Sequence, residues 1–188
     1  MMKKLLKQNK GFSLVELLVA ILIMAVIAAT AIMLFGGVLN SSKTRADDET
    51  AENIKRAILT YMNLTNDTDL SCLGVDASNP DDLIRKLSCI IKIEKSGEKS
   101  EVSFTIPSNA VFKEEDLSAG GEIDGTDIPG KYGPFLDGSK DMKPQAPDKV
   151  GWKINVDVKT QVVTVEAVEE EDDAKVTINT GTTEEKEP

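Results

Sequence analysis

From Leu17 to Ser42 the chain carries no charged residue, a run of 26 positions. As an α-helix that run rises ~39 Å, at about 1.5 Å per residue, enough to cross the hydrocarbon core of a bilayer. Lys3, Lys4, Lys7 and Lys10 precede it without an acid, and Lys43 and Arg45 follow it among Asp47, Asp48 and Glu49. This lysine bias predicts a cytoplasmic N-terminus and an exported body. One ionisable group stands at the mouth of the apolar segment: Glu16. A carboxylate costs roughly 2.5–3.5 kcal/mol at mid-bilayer and less near the interface, so its position calls for a partner or a role.

The 188 residues carry a net charge of −10; the four leader lysines contribute +4, which leaves −14 on residues 12–188. Phosphate neutralisation needs a Lys/Arg surface, so an acidic body argues against a nucleic-acid partner. It argues equally against lying flat on an anionic membrane. There is no histidine, hence neither the usual general base nor the commonest metal ligand. No P-loop and no G-x-G-x-x-G after a strand occurs, and no S-x-x-K sits in a convincing context. An enzyme is not expected. With one Trp, two Tyr and five Phe, any core beyond residue 70 must be small and mostly aliphatic.

Two other readings of the N-terminus compete. A secretory signal has an apolar core of about 7–15 residues and a small-residue cleavage site, which Ala29-Thr30-Ala31 imitates. The apolar run continues past that point, however, and Glu16 interrupts the core such a signal requires. A plain uncleaved anchor is the other reading, and neither explains Glu16. Cys72 and Cys89 are separated by sixteen residues. In an exported body a disulfide closing that loop is worth ~3 kcal/mol by chain entropy, the alternative being two separate buried thiols. Two cysteines without histidine cannot close a zinc site.

A short basic leader ending in Lys10 and Gly11 leads into Phe12-Ser13-Leu14-Val15-Glu16-Leu17-Leu18-Val19-Ala20. This stretch resembles the N-terminal motif of type IV pilins and of the related secretion and competence pseudopilins. The resemblance covers about thirty residues and implies cleavage after Gly11 by a prepilin peptidase, followed by N-methylation of Phe12. It also implies that Glu16, fifth in the mature chain, meets the N-terminal amine of a neighbouring subunit and sets register during assembly. An unpaired charge in an apolar medium is costly, and pairing it on the next protomer offsets much of that cost. The plainer alternative is Glu16 as a snorkelling residue or a dipole-compensating one, worth ~0.3–1 kcal/mol. Ala25 and Met33 stand where many members carry glycine and proline, so the internal weak points are Gly36 and Gly37.

Beyond the apolar run, Ala46, Thr50, Ile54, Ile58, Tyr61 and Leu64 recur at spacings of three and four, the pattern of an amphipathic helix. One helix from Phe12 to Leu64 would be ~80 Å long, ending at Asn66-Asp67-Thr68-Asp69; two helices separated at Gly36-Gly37 are the alternative. Pro80 opens a short helix to Leu87, capped by Ser78 or Asn79. Cys89–Glu94 and a returning strand through Val102, Phe104 and Ile106 flank a turn at Ser96-Gly97-Glu98. Residues 110–142 read as a long irregular glycine-rich loop. Trp152–Val158 and Val162–Val168 alternate as a hairpin with Trp152 as core anchor, and Lys175–Asn179 reads as a last strand. Glu169–Asp173 reads as a solvated turn or edge protection.

The expected fold is α+β, a long N-terminal helix, half transmembrane and half amphipathic, packed on a small antiparallel sheet, and the resemblance implies the same architecture. The expected boundaries are a leader at 1–11, the membrane or filament-core helix at 12–40, its amphipathic continuation at 41–66, a head at 67–180 and a disordered tail at 181–188. Asp124, Asp127, Asp137 and Asp141 are weak calcium candidates in the glycine-rich loop, since carboxylates with loop carbonyls suit that ion; Asp-Gly pairs are also ordinary turn formers. No other cofactor is expected. The resemblance implies a filament subunit that waits in the plasma membrane and ends on the cell surface. Its partners are further copies of itself, the prepilin peptidase, and an assembly platform with its ATPase. The rivals are a secretion or competence pseudopilin, a minor tip subunit that binds through its loop, and an uncleaved single-pass surface protein.

Overall fold

A computed structural model describes residues 12–96, 99–121, 123–124 and 129–181. Helix α1 runs over Leu14–Thr65, 52 residues without an interruption at Gly36 or Gly37. The chain divides into two compact units, Met1–Ser42 and Lys43–Pro188.

In the first unit the residues of α1 are almost all exposed. A Cβ added at Gly36 or Gly37 would meet nothing within 4 Å. The one hydroxyl deep in the apolar run, Thr30, satisfies itself: Oγ1 donates to the Ile27 carbonyl at 2.9 Å. That back-bond lets a polar residue sit in an apolar helix without an external partner.

The second unit holds the core. From α1 it takes Ile54, Ala57, Ile58, Tyr61 and Met62, all buried. Leu64, expected on that stripe, is 50% exposed at its margin. Asp47 is on it instead, buried because its carboxylate accepts the Gln145 and Ala146 backbone N–H groups at 2.7 and 2.9 Å. Helix α1 ends at Asn66, whose φ of 61° places it in the left-handed region, a conformation asparagine tolerates. Helix α2 spans Pro80–Leu87, with proline in its first turn and Asn79 accepting from the Asp82 N–H as its cap.

Two sheets complete the unit. The first contains β1 (Ile90–Ser96), β2 (Lys99–Thr105), β3 (Ile123–Asp124) and β4 (Gly130–Tyr132), in the order β3-β2-β1-β4 and antiparallel throughout. The second contains β5 (Gly151–Asp157), β6 (Val162–Val168) and β7 (Val176–Asn179), with β5 central. The fold is thus the α+β architecture of the sequence reading, with two differences. There are two sheets rather than one, and β7 pairs parallel to β5. Parallel pairing follows because the chain crosses over β5 between β6 and β7, through the exposed acidic turn at Glu169–Asp173. The glycine-rich loop is also less irregular than its composition suggests, since it supplies β3 and β4 as short edge strands.

Ile91 and Ile93 of β1, Trp152, Ile154 and Val156 of β5, and Leu83 and Leu87 of α2 form one cluster with the α1 stripe. Each such side chain contributes ~1.5–3 kcal/mol on burial. Trp152 anchors the cluster as expected, and its indole N–H donates to the Met142 carbonyl, tying the end of the long loop to β5.

Candidate functional site

The first turn of α1 is built by the Ser13 carbonyl, which accepts from the Leu17 N–H at 3.1 Å. With helical residues beginning at Leu14, Ser13 stands at the N-cap and Glu16 at the third helical position, the spacing of a capping box. A carboxylate there also complements the positive end of the helix dipole. Phe12 lies just ahead of the helix, 82% exposed, and Glu16 is exposed four residues on. Gly11 lies outside the described residues.

From this end α1 presents Leu14, Val15, Leu17, Leu18, Val19 and their successors to Leu39, nearly all more than half exposed. It contains an 18-residue stretch long and apolar enough to cross a membrane, none of it buried among the described residues. Single exposed apolar residues are ordinary; a contiguous surface of this size marks a membrane or protein contact.

The other predicted positions fall elsewhere. Cys72, in a 3₁₀ turn, and Cys89, just before β1, are both buried. Both side chains are fully buried and pack in the core as small apolar groups. Burial pushes the Cys89 thiol up to about 11, with the Asp82 carboxylate adding to the shift. Of the calcium candidates, Asp137 is engaged by Ser139, whose hydroxyl and backbone N–H donate to it at 2.6 and 3.0 Å. Those two bonds hold its carboxyl below the ordinary range. Asp124 is in β3, and Asp127 lies outside the described residues. Among the described residues no group of three or more acidic or cysteine side chains is placed to hold a metal.

Two buried polar centres were not anticipated. Lys86 and Asp82 of α2 pair at 2.9 Å with side chains 0% and 1% exposed. The Lys86 ammonium also donates to the Leu73 and Gly74 carbonyls at 2.6 and 3.0 Å, to Ser118 Oγ at 2.6 Å and to the Ala119 carbonyl at 3.3 Å. Asp82 accepts the Ser118 N–H and hydroxyl at 2.9 and 2.6 Å. The i, i+4 spacing of Asp82 and Lys86 was the only sign of this in the sequence, and it is more often a surface feature. The second centre is Asp67, which accepts the Tyr61 hydroxyl at 2.6 Å and the Ser71 and Cys72 N–H groups at 2.9 and 3.1 Å. Burial raises its carboxyl above the ordinary value, against the lowering effect of the Tyr61 bond.

Both centres lie inside the second unit, whereas the exposed chemistry is that of the N-terminal segment. No curated protein and no solved structure gives a significant match to the chain. The family model for the prokaryotic N-terminal methylation motif matches residues 6–32. That match takes in Gly11, Phe12, Glu16 and the first part of the uncovered helix, and it is consistent with a type IV pilin-like or pseudopilin precursor.

Proposed function

We propose that the protein is a structural subunit of a type IV pilin-like or pseudopilin filament. A prepilin peptidase cleaves it after Gly11 and methylates the new amino group of Phe12. Until assembly it sits in the plasma membrane as a single pass, N-terminus in the cytoplasm. An assembly platform and its ATPase then draw it out, and the apolar half of α1 exchanges lipid for the same helix of sister subunits. Glu16 sets register by pairing with the cationic Phe12 amine of a neighbour.

One observation carries this reading: the methylation motif is continuous with a helix whose apolar window is unburied among the described residues. At ~25 cal/mol per Å² such a surface cannot face water, so it needs lipid or other copies throughout. Exchange between those two media leaves little apolar area wetted at any stage.

The test is intact-mass and N-terminal peptide analysis of protein taken from native membrane and from sheared surface material. A chain beginning at N-methylated Phe12 is expected. A chain retaining Met1–Gly11 in both fractions, or one cut near Ala31, overturns the reading.

A further inference from the structure

The Lys86 ammonium touches five oxygen atoms drawn from three separate stretches of chain. They are the Leu73, Gly74 and Ala119 carbonyls, Ser118 Oγ and Asp82 Oδ2, at 2.6 to 3.3 Å. The Phe104 ring closes a further side, its centroid 5.5 Å from Nζ, a placement that favours a cation. An ammonium has only three hydrogens to donate. The oxygens therefore outnumber the hydrogen bonds the nitrogen can make, and they surround it as a coordination shell surrounds an ion.

Bonds that do not involve Lys86 hold this shell in place. The 3₁₀ turn presents the Leu73 and Gly74 carbonyls, its N–H groups donating to the Leu70 and Ser71 carbonyls at 3.2 and 3.1 Å. Gly74 takes a left-handed φ of 59°, and a Cβ on it would lie 2.6 Å from the Ala119 oxygen. The two carbonyl-bearing turns are thus already in contact. Asp82 fixes Ser118 through both its N–H and its hydroxyl, and the Gly121 N–H donates to the Cys72 carbonyl. Taking the ammonium away would leave a framework whose oxygens still converge on one point.

We propose that this shell is a binding site for a large monovalent cation, which the chain fills with its own Lys86 ammonium. The donors set the class of ion. Backbone carbonyls and a hydroxyl are neutral oxygens of the kind that replace the hydration shell of potassium. The one carboxylate balances a single positive charge, whereas a divalent ion would leave buried charge uncompensated. The distances reach 3.3 Å, beyond the ~2.3–2.6 Å at which calcium is held. Potassium and free ammonium fit both the size and the charge. In the native chain the tethered cation ties the turn at 73–74, helix α2 and the segment at 118–119 together without drawing an ion from the medium.

The experiment uses the detergent-solubilised full-length chain, unaltered and in two variants, unfolded in urea, which unlike guanidinium adds no cation of its own. Lys86→Ala removes both the charge and the stem and opens the shell. Lys86→Met removes the charge but keeps most of the stem, which blocks the shell. Choline chloride is the reference salt, its ion being too large to enter. Exchanging it for ammonium or potassium chloride at equal ionic strength should raise the folded-to-unfolded ratio of Lys86→Ala by about ten-fold, as for an ion bound only by the folded state. Lys86→Met and the unaltered chain should not respond. Folding of Lys86→Ala in ammonium or potassium alone would support the site equally. Indifference of Lys86→Ala to the ion, a gain shared by Lys86→Met or by the unaltered chain, or a Lys86→Ala chain unfolded in every salt would each overturn the proposal. Calcium chloride at the same ionic strength should stabilise Lys86→Ala less than potassium does; a preference for calcium would overturn the monovalent assignment.

Discussion

At the residue scale, the most consequential side chain of the second unit is Lys86. Its ammonium is fully buried and touches one carboxylate, one hydroxyl and three backbone carbonyls. Removing one partner of a buried ion pair costs about 3–5 kcal/mol, because the other charge stays behind unpaired. Lys86→Met should therefore lower unfolding free energy by that order in denaturant titrations, and Lys86→Met with Asp82→Leu should recover part of it. Asp67 gives a pH signature of the opposite kind to an ordinary surface acid. Its folded carboxyl is raised above 3.8, so the folded state binds the proton more tightly than the unfolded one. The associated stability is full below that value and is lost as pH rises through the folded pKa. Plotted against pH from strongly acid to neutral, the stability of the unaltered chain should fall relative to Asp67→Asn; a constant difference would contradict the assignment. None of this was legible in the sequence. Asp67 read as one of several turn formers, and nothing set Lys86 apart within the helix opened by Pro80, because burial of a charge depends on which loop folds over it. Trp152 was legible because a lone tryptophan on an alternating strand has little else to do.

At the element scale, long periodic segments were legible and closures were not. Helix α1, the α2 start at Pro80 and the β5–β6 hairpin all follow from local patterns of three-to-four or two. The crossover to a parallel β7 and the conversion of loop residues 123–124 and 130–132 into edge strands depend on distant pairing, which no local window carries. Glycines separate the same way. Gly121 packs so closely on the Ser71 carbonyl that an added Cβ would lie 1.7 Å from its oxygen, and its N–H donates to the Cys72 carbonyl at 3.0 Å. Gly36 and Gly37 have nothing near them. Gly121→Ala is thus expected to free the segment around Ser118, seen as faster limited proteolysis between 111 and 121. Gly36→Ala and Gly37→Ala should leave that digestion pattern unchanged and strengthen α1 locally, alanine being favoured over glycine by ~0.5–1 kcal/mol in a helix interior.

At the scale of the whole molecule, two units with opposite solvent demands share one chain. The second buries its apolar stripe on two sheets; the apolar window of the first is unburied among the described residues. The filament reading turns Glu16 into the discriminating residue. Glu16→Gln keeps the shape and the cleavage junction while removing the charge. Processing at Gly11 should continue, and the sheared filament yield should fall by at least ten-fold, ~1.4 kcal/mol or more per subunit added. If the capping and dipole role in the first turn were all Glu16 did, the yield would change little. The N-terminal motif was legible from about thirty residues because its residues lie contiguously at one helix end, within the stretch that the family model matches.

The uncovered helix also fixes how subunits can be exchanged. On the filament reading proposed above, such a protein has no free pool in solution, so its supply is an areal density in a membrane and its encounters are two-dimensional. On that same reading, growth is possible only where filament and bilayer meet. A length of filament broken away has nothing to equilibrate with. It neither shortens by dilution nor repairs itself, and its lifetime is that of its weakest covalent or folded part rather than of any dissociation constant.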